Sequence, residues 1–69
     1  MNLRTRVALN IKDERHRQGI SQEELAHRAG VSRAYLGRLE NCRFSATLDL
    51  VEKIAKGLKT DPSTLTAER

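Results

Sequence analysis

Two serine-led helix starts on either side of a single glycine constrain this chain more than any other feature. Ser21 has a side-chain oxygen that can accept from an orphan N–H of a helix's first turn. Glu24, three residues on, completes the S-x-x-E pattern of a capping box, and Ile20 and Leu25 stand where two apolar side chains staple a helix entry. Leu25 and Ala29 continue an apolar stripe until Gly30, which tolerates the left-handed geometry that ends a helix. Ser32 then begins again, with Val31 and Leu36 as the staple and Leu36 and Leu39 as the inward stripe. The two segments meet at Ala29-Gly30-Val31-Ser32. Short helices joined by such a glycine-containing turn form a helix-turn-helix, here over about residues 21–40.

The rest of the chain also reads as helix. A first helix runs from about Leu3 to His16 or Arg17, with Val7 and Ile11 on one face, Leu3 a turn earlier, and Gly19 as its stop. After a loop from about Asn41 to Ala46, Thr47 caps a fourth helix. Asp49 in its first turn suits the helix dipole, and Val51, Ile54, Ala55 and Leu58 make its stripe. Asp61-Pro62 supplies a cap and a first-turn proline for a short fifth helix to about Thr66, anchored by Leu65. No strand alternation or Asn-Gly hairpin signal interrupts this pattern. The expectation is one all-α, five-helix domain over residues 1–69, with its fourth and fifth helices at about 47–66.

Composition narrows the function. Thirteen Lys and Arg against nine Asp and Glu leave a net charge of +4, which suits a polyanion such as nucleic acid. Cys42 is the single cysteine, so no intrachain disulfide forms, and a reducing, cytoplasmic setting is expected. No apolar run approaches the roughly 20 residues that span a membrane. His16 and His27 lie on separate helices without metal-ligand spacing, so no metal and no cofactor is expected. No phosphate-binding glycine loop and no nucleophile–base pair points to an enzyme.

Gly19-Ile20-Ser21-Gln22-Glu23-Glu24-Leu25-Ala26, Ala29-Gly30-Val31-Ser32, Tyr35-Leu36 and Leu39-Glu40-Asn41 resemble the Cro/repressor-type (XRE-like) helix-turn-helix regulators. Leu48 to Leu58 is similar to that family's fourth helix, and the resemblance covers roughly Val7 to Leu65. Less specifically, Ile11-Lys12-Asp13-Glu14-Arg15, Tyr35-Leu36-Gly37 and the short length resemble restriction–modification controller proteins. The resemblance implies a Cro/repressor-like fold, with double-stranded DNA as partner. In such motifs the second helix lies in the major groove. At 100° per residue, Leu36 and Leu39 point inward, while Ala34, Gly37, Arg38 and Asn41 point outward, with Arg33 and Tyr35 at the flanks.

Arg38 can donate twice to guanine or hold a phosphate, and Arg33 has the same two options. Small Ala34 and Gly37 let the helix approach the groove floor, and Ala34 can touch a thymine methyl; alternatively Gly37 is simply a tolerated glycine. Ser21, Gln22, Ser32, Tyr35, Asn41 and Arg43 are candidate backbone contacts, Gln22 and the 41–43 segment by resemblance. Ser21 also serves as a cap, and Tyr35 also suits packing against the first helix. The family pattern implies an Arg15–Glu40 ion pair that orients the recognition helix. Three positions depart from the family: Cys42 where glycine is usual, Glu14 where an apolar residue is common, and Ala46 where proline is common. Cys42 must take left-handed geometry or the turn differs, and an exposed thiol near arginines also has a redox-sensor reading.

The expected assembly is a homodimer on a two-fold symmetric operator, its recognition helices about 34 Å apart. Leu58, Leu65 and the adjoining loops are the expected dimer surface, with Phe44 either joining it or capping the core. A contact with RNA polymerase is compatible with such a regulator. Two other readings share the fold. An antitoxin-type regulator would copurify with a small toxin protein. A protein-interaction adaptor would lack the outward basic face of Arg33, Arg38 and Arg43.

Overall fold

The computed structural model describes residues 1–69, which form five α-helices and no strand. These are α1 (Leu3–Gln18), α2 (Gln22–Ala29), α3 (Arg33–Glu40), α4 (Leu48–Gly57) and α5 (Pro62–Thr66). A polar side chain caps the start of each one. Asn2, Ser21, Ser32 and Thr47 accept from the backbone N–H three residues on, and Asp61 accepts from Ser63. The Ser63 backbone N–H holds the Asp61 carboxyl below the usual aspartate range. The capping box of α2 is only half formed. Glu24 accepts from Arg28 Nε at 2.9 Å, one turn along the helix, instead of reaching back to Ser21.

Four helices end the same way, in a turn whose next residue is left-handed. After α1 and α2 that residue is Gly19 or Gly30, with φ of 70° and 73°. After α3 and α4 it is Cys42 or Lys59, with φ of 58° and 56°. The hydrogen bonds are those of the glycine version: Cys42 N donates to Leu39 O, Arg43 N to Arg38 O, Lys59 N to Lys56 O and Thr60 N to Ala55 O. The left-handed conformation costs a residue with a Cβ about 1–2 kcal/mol. Lys59 is exposed and its replacement loses no packing. Lys59→Gly should therefore add about 1 kcal/mol of stability and raise the melting temperature by about 4–8 °C in a domain this size. An unchanged or lower melting temperature would show that the turn is not strained.

Packing gathers the apolar stripes into one core, with α2 against α4, α1 against α5 and α3, and α4 against α5. Ile11, Leu25, Leu36, Ile54, Leu58 and Leu65 are completely buried in it. Leu58 and Leu65 therefore cannot form a dimer surface. Each sits on the inward side of its short segment, where α4 packs on α2 and α5, and α5 packs on α1. Leu3 departs from expectation in the opposite sense and is 54% exposed. It borders an open groove between the starts of α1 and α4, so nothing covers it.

Gly57 marks the close crossing of α2 and α4. A Cβ there would stand 3.2 Å from Leu25 Cδ1 and 3.3 Å from Arg28 Cβ. Leu25 is fully buried and cannot move aside freely. Gly57→Ala should cost about 1 kcal/mol net, overpacking outweighing the helix-propensity gain, and a urea melt would read it. A stabilised variant would contradict the tight crossing.

Candidate nucleic-acid interface

Helix α3 divides cleanly between an inner and an outer side. Leu36, Leu39 and Glu40 are buried, whereas Arg33, Ala34 and Arg38 are exposed and Gly37 is half-buried between them. Asn41 and Arg43 follow in the loop, both exposed. Cys42 between them is half-buried, and its left-handed backbone keeps the turn that glycine would make, so the departure from the family leaves the loop start unaltered.

Buried Glu40 organises the end of α3. Its side chain is inaccessible to solvent, and Arg15 donates to both oxygens, Nε to Oε2 at 2.8 Å and Nη2 to Oε1 at 3.0 Å. Arg15 Nη1 also donates to Ile20 O at 3.0 Å, which ties the end of α1 and the entry of α2 to α3. Such a bidentate pair is geometrically specific and orients elements more surely than it adds net stability.

The ion-pair pattern decides the charge of the outer side. Arg15, Arg17, Arg28 and Arg69 each have a carboxylate partner; Arg4 and Arg6 near the N-terminus have none, and neither do Arg33, Arg38 and Arg43, which fall together on and just after α3. Glu40 is the one acidic residue between 33 and 43, and it faces inward. The surface from Arg33 to Arg43 thus presents three free guanidinium groups and no exposed carboxylate. That is the electrostatic footprint of a polyanion site.

Polar groups suited to phosphate flank it. Ser21 Oγ and Ser32 Oγ accept from the amides of Glu24 and Tyr35, which occupies a lone pair and leaves each hydroxyl proton free to donate. Both serines stand at helix N-termini, where the dipole favours an anion. Tyr35 is half-buried and stacks on Phe44, with ring centroids 4.6 Å apart. Phe44 is engaged with Tyr35 and the core, and so braces the flank of α3. Gln22 is half-buried, and its Nε2 donates to Glu40 Oε1 at 3.1 Å.

Two features were not anticipated from the sequence. One is that Gln22–Glu40 bond, a contact between residues far apart in the chain that no local spacing signals. The other is the groove at Leu3, where Leu48 is 87% exposed. An apolar residue at the first position of a capped helix, one turn before the buried stripe, was its available signal.

Residues 11–65 match the model of the HTH_3 helix-turn-helix family. The chain belongs to that family. It is an all-α DNA-binding transcription regulator, and the family is non-enzymatic. The regulator is 44% identical over 48 residues, 70% of each chain, to an uncharacterized HTH-type transcriptional regulator of Methanothermobacter thermautotrophicus. It is 33% identical over 69 residues to the control protein C.SmaI of Serratia marcescens, covering 99% of this chain and 82% of that one. Its fold matches the restriction–modification controller protein C.AhdI of Aeromonas hydrophila with a TM-score of 0.85 at 30% identity, over 88% and 92% of the two chains. No helix of the regulator is long and apolar enough to cross a membrane.

Proposed function

We propose that the regulator binds a two-fold symmetric operator as a homodimer, each subunit laying α3 in the major groove. The observation that carries this reading is the uncontested positive face from Arg33 to Arg43. Arg38 and Arg33 face the base edges, and Ala34 and Gly37 allow close approach. Ser21, Ser32, Tyr35, Asn41 and Arg43 hold the sugar–phosphate backbone on either side.

The second copy docks in the groove between the starts of α1 and α4. It has a volume of about 270 Å³ and is lined mainly by apolar residues, among them Leu3, Val7, Ala46, Leu48 and Val51. Leu3 and Leu48 are two of the three large apolar side chains that the fold leaves exposed. None of the groove's residues lies on α3, so a second copy seated there leaves the basic face open. The likeness to C.SmaI and C.AhdI favours a controller role in a restriction–modification system.

Binding to duplex DNA from upstream of the regulator's own gene, measured across a salt series, tests this. Affinity should fall by orders of magnitude between about 50 and 200 mM salt. Arg43→Ala should weaken all sequences alike, and Arg38→Ala should relax sequence preference. An unchanged preference in Arg38→Ala would remove that residue from base readout.

A further inference from the structure

Gln22 begins α2, yet its side chain lies across α3. Its Nε2 bond to Glu40 determines which end of the amide faces outward. Both Glu40 oxygens already receive Arg15 donors, and a carboxylate accepts only, so the atom turned toward Glu40 is the nitrogen. Oε1 therefore faces the other way, where it makes no hydrogen bond and is not fully buried. It lies 3.8 Å from the point where a Cβ on Gly37 would stand, and apart from the adjoining residues and the backbone of α3 itself no other atom comes within 4 Å of that point. The amide oxygen of Gln22 thus occupies the place of the side chain that residue 37 lacks.

This matters because α3 has donors and almost no acceptors to offer. The exposed polar side chains between residues 33 and 40 are Arg33 and Arg38, which only donate, and the Glu40 carboxylate is buried. Arginine pairs with the acceptors of guanine. Adenine and cytosine present an exocyclic amino group, N6 or N4, which needs an acceptor. A phosphate has no proton to give Oε1. Nor does the fold itself require glycine at 37, since a Cβ 3.8 Å from Oε1 is an ordinary contact.

We propose that Gln22 is a specificity-determining residue: it presents Oε1 beside Gly37 to the major-groove amino group of an adenine or cytosine, and Glu40 is its positioning residue. The inference rests on the operator-binding reading and adds one base contact to it. Gly37 keeps that acceptor uncovered, and the Arg15–Glu40 pair is the fixed point from which the amide is held.

The test starts by selecting preferred duplexes from a randomised library with the full-length protein. Wild type should prefer A or C at one position of each half-site, and Gln22→Met should lose that preference, roughly tenfold, while keeping the others. Gly37→Ala, which leaves the Glu40 bond intact, should lose the same preference by covering Oε1, and should weaken all sequences alike by holding α3 off the groove floor. A base analogue without the amino group at that position should weaken wild type roughly tenfold and Gln22→Met no further. Equal weakening of all sequences by Gln22→Met, with every preference kept, would overturn the proposal and leave operator binding standing. A wild-type protein that enriches no sequence would overturn the operator reading, and this inference with it.

Discussion

Glu40→Ala is expected to cost about 3–5 kcal/mol, because it leaves the Arg15 guanidinium buried without its counter-charge. Domains of this length have only roughly 3–10 kcal/mol of stability in all. The variant should therefore be largely unfolded at physiological temperature, with a collapsed denaturation midpoint by circular dichroism. Replacing both partners with apolar residues of similar volume, Arg15→Met with Glu40→Leu, should restore the fold to within about 1–2 kcal/mol of wild type, since no charge is then stranded. The restored protein should still bind operator poorly, because Gln22 has lost its acceptor. A loss below about 1 kcal/mol in Glu40→Ala would mean that Arg15 finds water, and that the pair does not anchor α3.

Leu48→Glu should abolish the proposed dimer and reduce operator affinity by about 100-fold or more. Joining two half-site contacts in one particle raises affinity by about 10²–10⁴ without any new protein–DNA bond, and separating the subunits forfeits that gain. The substitution also places a carboxylate on the rim of an apolar groove. The monomer should keep its stability, because Leu48 is 87% exposed in the isolated subunit and contributes little to the core. Analytical ultracentrifugation alongside a melting curve separates the two effects. A variant that stays dimeric would relocate the subunit interface.

Helix boundaries were legible in the sequence because they are set locally. Ser21, Ser32, Thr47 and Asp61 cap the helices they precede, and Gly19 and Gly30 stop theirs, through bonds within a few residues. The outward side of α3 was legible for a similar reason. Leu36 and Leu39 identify the inner side, and a rigid helix leaves the opposite side to Ala34 and Arg38. Contacts between elements were not. An apolar residue on a helix stripe can be covered or open, and only the way α4 packs on α2 and α5 packs on α1 and α4 puts Leu58 and Leu65 inside while Leu3 and Leu48 stay out. The Glu24 carboxylate had two partners within reach and took Arg28. Cys42 fits a turn that usually takes glycine because a single strained residue costs less than dismantling the hydrogen bonds it completes.

The most direct test of the account is an NMR titration of isotopically labelled regulator with duplex DNA carrying its selected sequence, at low salt. Amide shifts should concentrate at Ser21, Gln22 and residues 32–43, with the arginine side-chain signals of Arg33, Arg38 and Arg43 moving most. Perturbations centred instead on the outer face of α4, around Glu52, Lys53 and Lys56, with residues 32–43 unmoved, would contradict the claim that α3 is the element that meets DNA.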